Sequence, residues 1–237
     1  MKRYGTTLIC LFLCFCLSAQ EFKPMDYNGT LYQEFVSNVA DKEDAALVIY
    51  LHGKHSSGND NRKQISNSSV RNISNYLKKN HISAYFLVPQ CPEDHEWDEG
   101  RCGVPGYTDR VEDLITLYMK TKYIDVSKIY ICGTSMGAMG VWRILKDNPK
   151  LFAAAIIASG QALHASPSDF IGIPLYVTVG SEERSYEALK WFTSEIQGAG
   201  GTVLFDVLWG LRHHEATDSA LSPQRLEWLF SQKKGLK

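Results

Sequence analysis

The sequence has no excess of charge of either sign. Its 25 Lys and Arg residues are balanced by 26 Asp and Glu residues, which gives a formal net charge of −1 at pH 7. Proteins that bind nucleic acid or another polyanion usually present a basic excess. The balance therefore argues against nucleic acid as a partner. No internal repeat or low-complexity tract is present, and 237 residues suit one sizeable α/β domain.

Cysteine pairs with metal-binding spacing are also missing. None of the six cysteines has C-x-x-C spacing, so the sequence does not predict a cysteine zinc site. Three of them lie in the first twenty residues. Cys132 falls in an apolar run and is expected to be a buried thiol. Cys91 and Cys102 flank one long loop, and we expect a disulfide between them in an exported protein, with two unpaired thiols as the alternative.

Beyond residue 20 there is no long apolar run. Lys2 and Arg3 precede an apolar core from Leu8 to Leu17, and Ser18-Ala19-Gln20 forms a plausible cleavage region. That core is too short for a stable membrane anchor. We therefore expect residues 1–20 to be a cleaved signal peptide and residues 21–237 to be a single secreted or periplasmic domain. An uncleaved anchor is the alternative.

The remaining chain alternates between strand and helix patterns. Such alternation predicts an α/β fold with a mostly parallel central sheet and helices on both faces. Apolar runs predict strands at 30–36, 45–51, 84–88, 129–132, 153–158, 174–179 and 202–209. Helical spacing predicts helices at 69–80, 109–122, 141–145, 186–196 and 223–231. Residues 21–44 read as a polar lead-in, within which the first predicted strand, 30–36, lies.

One turn between a strand and a helix carries the strongest chemical signal. Gly133-Thr134-Ser135-Met136-Gly137 fits the G-x-S-x-G nucleophile elbow, in which a serine stands at the apex of a sharp turn. The small residues beside Ser135 allow the strand and helix backbones to approach closely. The pattern predicts a serine nucleophile. A tight glycine turn without chemistry is the alternative.

A serine nucleophile needs a base, and the base needs an orienting carboxylate. Two later loops, each following a predicted strand, supply candidates for these groups. Residues 180–184 contain Glu182 and Glu183, and residues 210–215 contain His213 and His214. Carboxyl ends of parallel strands meet at one edge of a sheet, which is where open α/β folds place their sites. Spacing alone leaves both pairs open.

Four motifs give the chain a resemblance to a known family. Residues 45–230 resemble α/β-hydrolase esterases, and more narrowly the secreted members of the phospholipase/carboxylesterase and feruloyl-esterase-like branch. The motifs are Leu51-His52-Gly53, Val88-Pro89-Gln90-Cys91-Pro92, Gly133-x-Ser135-x-Gly137 and Gly210-x-x-His213.

The resemblance also implies a role for single residues. The acid stands three positions after Gly180, which selects Glu183, although most members carry Asp there. The offset from Gly210 selects His213 as the base. The backbone N–H groups of Lys54 and Met136 are the implied oxyanion donors.

Together these signals predict a serine carboxylic-ester hydrolase that works through an acyl-enzyme, without cofactor or metal. The span from residue 158 to residue 174 is too short for a large cap domain, so we expect an open pocket for short acyl or polysaccharide-linked esters. A serine peptidase of the same fold and a non-catalytic binding module are the alternatives. Trp97 and Tyr107 either form an aromatic wall beside the pocket, or Trp97 anchors a local core.

Overall fold

The computed structural model describes residues 21–99 and 103–235, so the predicted signal peptide and Cys102 lie outside the described residues. Eight strands form one sheet in the order β1-β2-β4-β3-β5-β6-β7-β8. The strands are β1 Lys23–Tyr27, β2 Thr30–Ser37, β3 Ala45–Leu51, β4 Ala84–Pro89, β5 Ile124–Thr134, β6 Ala154–Ala158, β7 Leu175–Gly180 and β8 Val203–Leu208. The helices are α1 Ser68–Lys79, α2 Thr108–Thr121, α3 Met136–Asp147, α4 Tyr186–Gly198, α5 His213–Asp218 and α6 Pro223–Ser231.

The sheet is mostly parallel, as predicted. Strands β1 and β2 join it antiparallel, while β4, β3, β5, β6, β7 and β8 pair parallel to one another. Every residue of β3 is buried, as expected for a central strand that is covered on both sides.

Helices cover both faces of the sheet. Side chains from α2, α3 and α4 pack into one apolar cluster, which includes Trp142 and Phe192. Side chains from α1 and α6, such as Ile73 and Leu226, pack into the cluster on the opposite face. This arrangement buries the apolar stripe of each helix and directs the carboxyl ends of the parallel strands to one edge.

Three elements differ from the sequence expectation. Strand β1 lies within the predicted polar lead-in; its residues are mostly exposed, and it joins the sheet by pairing with β2. Strand β5 begins at Ile124, five residues earlier than predicted, because a polar stretch with Asp125 and Ser127 conceals its start. Residues of the predicted loop after β8 form the short helix α5.

Of the two cysteines in question, Cys91 is a free thiol, so the predicted bridge to Cys102 is wrong. Cys91 follows β4 into the apolar core and is 0 % exposed. Burial raises the pKa of this thiol to about 12, which keeps it in the neutral form that resists oxidation. Cys132 is also free and buried, as predicted. In the described parts of the chain, no helix has both the length and the apolar character needed to cross a membrane.

Candidate active site

Ser135 occupies the strained apex between β5 and α3. Its φ of 56° and ψ of −120° lie where non-glycine residues are rare. The turn is held from both sides, because the Ser135 N–H donates to the Ala158 carbonyl at 2.8 Å and α3 begins at the next residue. A Cβ on Gly137 would lie 1.9 Å from the Leu51 carbonyl oxygen. The small residues of the motif are therefore required by close backbone contact.

Three side chains that follow three different strands, β5, β7 and β8, form one hydrogen-bonded chain. Ser135 Oγ lies 2.8 Å from His213 Nε2, and His213 Nδ1 lies 2.6 Å from Glu183 Oε2. A carboxylate can only accept, so Nδ1 carries the proton and Nε2 accepts from the serine hydroxyl. The imidazole is therefore held in the tautomer that can remove the proton of Ser135.

The Glu183 carboxylate is fixed by three donors. Its side chain is 2 % exposed. In addition to His213, it accepts from the Ser159 hydroxyl at 2.6 Å and from the Gly180 N–H at 2.8 Å. Burial by itself would raise the pKa of Glu183, but the hydrogen bonds from His213, Ser159 and Gly180 outweigh it and lower that pKa. The carboxylate therefore stays charged beside the imidazole.

Ser159 was not identified from the sequence. It follows β6 directly, and its φ of 58° turns the chain sharply there. That turn delivers the Ser159 hydroxyl to Glu183 Oε1. The only sequence signal was a Ser-Gly pair at the end of a buried strand, which is common in loops.

The rival candidates lie outside this chain of hydrogen bonds. Glu182 is exposed, and its carboxylate is 3.5 Å from the hydroxyl of Ser181. The His214 side chain is 83 % exposed and faces Asp218, one helical turn away, at 3.4 Å. Glu183 and His213 are the members of each pair that hydrogen-bond in the chain from Ser135.

Glu183→Gln is expected to lower kcat/KM by about 10⁴, in line with a comparable carboxylate-to-amide change in a triad. A carboxamide can donate to Nδ1 and so stabilise the tautomer whose Nε2 cannot accept the serine proton. The measurement is kcat/KM on a neutral ester for this variant and for Glu182→Gln. We expect the control to stay within about threefold of the parent, and a larger loss in the control would transfer the role to Glu182.

The two implied oxyanion donors lie beside the serine. Met136 is the first residue of α3, where backbone N–H groups have no partner within the helix. Lys54 opens the short 3₁₀ turn that follows Gly53, and a Cβ on Gly53 would be 3.4 Å from the Cβ of Ser135. Lys54 Nζ donates to the carbonyls of Glu93 and His95. These contacts fix the Lys54 side chain while its backbone stays beside the nucleophile.

Buried contacts around His52 hold the Lys54 turn in place. His52 Nδ1–H donates to the Gly53 carbonyl at 2.8 Å, and its Nε2 accepts from the Cys91 N–H at 3.1 Å. Burial lowers the pKa of His52 to about 4, so the ring stays neutral and can keep both contacts. Trp97 is 0 % exposed and donates its indole N–H to the His52 carbonyl at 2.8 Å. Trp97 therefore anchors a local core and does not form a wall of the pocket.

A cavity of about 620 Å³ opens at the serine. Ser135, His213, Glu183, Lys54 and Met136 all line it. In residues 21–99 and 103–235, no group of three His, Cys, Asp or Glu side chains is placed to hold a metal ion.

The chain is similar to known proteins in structure, whereas the sequence comparisons find no match. No protein-family model and no curated protein matches the chain. A thermostable esterase superimposes with a TM-score of 0.78 at 24 % identity, covering 90 % of this chain and 63 % of that one. This chain thus covers less than two thirds of the length of that esterase.

Two further structures match over nearly their whole length. A ferulic acid esterase has a TM-score of 0.70 at 15 % identity, with 89 % of this chain and 96 % of that chain covered. An S-formylglutathione hydrolase from Staphylococcus aureus has a TM-score of 0.68 at 12 % identity, with 90 % and 99 % covered. At these identities the likeness shows the fold, which is that of the α/β-hydrolases.

Proposed function

We propose that this chain, which has the α/β-hydrolase fold, is a serine esterase that hydrolyses carboxylic esters. The observation that carries the proposal is the hydrogen-bonded chain from Ser135 through His213 to Glu183, with separations of 2.8 Å and 2.6 Å. It joins a nucleophile, a base and an orienting carboxylate at the mouth of a cavity, which is the constellation that acyl transfer requires. Esterases among the structures of the same fold are consistent with this class of reaction.

The proposed reaction has two halves. In the first, Ser135 Oγ attacks the ester carbonyl while its proton moves to His213 Nε2, and the N–H groups of Lys54 and Met136 stabilise the oxyanion. Collapse of the tetrahedral intermediate breaks the ester C–O bond, and His213 returns the proton to the leaving alcohol. In the second half, water attacks the acyl-enzyme with His213 again as base, which releases the acid and restores Ser135.

The openness of the site supports small or surface-accessible esters. Between β6 and β7 the chain has only residues 159–174, which contain the single 3₁₀ turn Pro167–Phe170. No cap domain is inserted there, so the cavity is reached directly from solvent. This suits short acyl esters, or esters carried on a polysaccharide, better than a long lipid tail that needs enclosure.

A fluorophosphonate probe together with a substrate panel tests the proposal. We expect stoichiometric labelling at Ser135 and turnover of short-chain esters. Turnover of peptide amides in preference to esters would make the chain a peptidase. Absence of both labelling and turnover would leave a binding module on a hydrolase scaffold.

Activity on a neutral ester should fall in acid, because protonated His213 cannot accept the serine proton. The hydrogen bond to Glu183 raises the pKa of His213, against a smaller lowering by burial. The midpoint of the kcat/KM profile is therefore expected above the ordinary histidine value of 6.5. In the Glu183→Gln variant the residual activity should have a lower midpoint, because the charge that favours imidazolium is gone. A flat profile from about pH 5 to 8 would argue against a histidine base.

A further inference from the structure

Two arginines line the cavity without a carboxylate partner. Arg184 directly follows Glu183, Arg212 directly precedes His213, and both side chains line the cavity of about 620 Å³. In the described ranges neither guanidinium has a carboxylate oxygen within 4.0 Å, whereas Arg225 pairs with Asp206 at 2.6 Å. The proposed nucleophile thus shares its cavity with two cations available to a ligand.

Backbone and hydroxyl contacts fix the loops that carry these arginines. The Ser181 N–H donates to the Leu208 carbonyl at 3.1 Å, and the Glu182 N–H donates to the Leu211 carbonyl at 3.1 Å. The Gly210 N–H in turn donates to Ser181 Oγ at 2.8 Å. Because the loop after β7 is tied to the loop after β8, Arg184 and Arg212 extend from one connected support. Their approach to a common ligand costs little reorganisation of the backbone.

Acidic groups also line the cavity but do not neutralise the arginines. Glu96, Glu182 and Glu183 are all in the lining, but in the described ranges none of their carboxylate oxygens lies within 4.0 Å of a guanidinium nitrogen of Arg184 or Arg212, and Glu183 is paired with His213. Lys54 adds a third cation, whose ammonium group donates to the neutral carbonyls of Glu93 and His95. The guanidinium groups of Arg184 and Arg212 can therefore bind an anionic group of a ligand in the same cavity as Ser135.

We propose that the ester cleaved at Ser135 carries a carboxylate, which Arg184 and Arg212 bind. This rests on the proposed esterase function and names its substrate class. A guanidinium offers a planar fork of N–H donors that matches a carboxylate, and two of them can share its oxygens. The carboxylate can belong to the acyl part, as in a monoester of a dicarboxylic acid, or to the alcohol part, as in an ester of a hydroxy acid.

Two matched substrate pairs test the proposal and separate these sources. The acyl-side pair is the butyl monoester of glutaric acid and the corresponding butyl glutaramate. The alcohol-side pair is the acetate ester of glycolic acid and that of glycolamide. Within each pair, the ratio of kcat/KM for the carboxylate to kcat/KM for the carboxamide measures preference for the charge. We expect a ratio above one in one of the two pairs, falling as salt is added.

Substitutions that remove a positive or a negative charge from the cavity identify the residues responsible. Arg184→Gln and Arg212→Gln are each expected to lower the preferred ratio about fivefold, as for a charge-assisted contact that is partly open to solvent. Glu182→Gln is expected to raise the ratio about twofold, because it removes a like charge from the same cavity. Arg71→Gln, the same change at an exposed position on α1, should leave the ratio unaltered.

Labelling by the fluorophosphonate probe counts the competent sites in every variant, so a folding defect does not enter the ratio. A structural role for the arginines would change both members of a pair equally and leave the ratio constant, which would overturn the proposal. Ratios of one or less in both pairs would also overturn it. If the carboxamide esters are still hydrolysed and Ser135 is labelled, the esterase function survives that result. Absence of labelling and turnover would overturn both.

Discussion

Ser135→Ala is expected to reduce kcat on a neutral ester by about a million-fold, the size of loss seen when the nucleophile of a comparable triad is removed. The change deletes the atom that forms the acyl-enzyme, and His213 then has no hydroxyl to activate. Residual turnover would come from the oxyanion donors and from substrate binding alone. The assay is kcat in single-turnover and steady-state conditions, with loss of fluorophosphonate labelling as the second readout.

The same substitution should leave the fold intact. Alanine keeps the Cβ that the turn already accommodates at a φ of 56°, so no new backbone strain is introduced. Ser185→Ala provides a matched control, because Ser185 lines the same cavity but its side chain makes no capping hydrogen bond to the helix that it precedes. We expect this control to keep most of the activity. A folded Ser135→Ala protein that retains more than a few per cent of the activity would disprove the assignment.

The sequence predicted the central part of the fold because that part is locally encoded. Strand β3 is apolar throughout, and its predicted bounds, 45–51, are those of the structure. The turn at Ser135 could be recognised from five consecutive residues, since its close backbone contacts require small side chains at fixed offsets. Where an element is determined by its own residues in this way, the sequence pattern is sufficient to predict it.

Elements defined by their partners were missed. Strand β1 is mostly exposed and joins the sheet by pairing with β2. The burial of Trp97 depends on a hydrogen bond to His52, which lies 45 positions away. Helix α5 has six residues, with Glu215 accepting from the backbone N–H of Arg212, and its two histidines read equally well as a loop. Tertiary contacts decide such segments, and local propensity does not.

The same distinction explains why the local sequence offers two candidates for the acid and two for the base. Glu182 and Glu183 are neighbours of identical chemistry, so charge and spacing cannot separate them without the family offset. The difference is environmental, because one carboxylate is exposed and the other is buried under donors from Ser159 and Gly180. Ser159 arrives from another strand end, and nothing in the local sequence of residues 180–184 indicates that contact.

His213→Ala is expected to be as damaging as the serine change, with kcat on a neutral ester lowered about a million-fold. Without the imidazole, the Ser135 hydroxyl has no acceptor at 2.8 Å and its proton has nowhere to go during attack. The adjacent histidine is the matched control. His214→Ala removes an exposed side chain that faces Asp218, so kcat should stay within about twofold and stability should change little, as for exposed ion pairs.

Added imidazole distinguishes loss of the base from loss of the fold in the His213→Ala variant. The His213 side chain is 53 % exposed, so its removal opens a space that a small base can enter from solvent. We expect imidazole to restore part of the turnover in proportion to its concentration and to have no effect on Ser135→Ala, which lacks the nucleophile. The restored turnover should increase with the concentration of neutral imidazole, because only that form accepts a proton. If His214→Ala is instead the inactive and rescuable variant, the base is His214 and the loop after β8 has slipped by one residue from the structure described here.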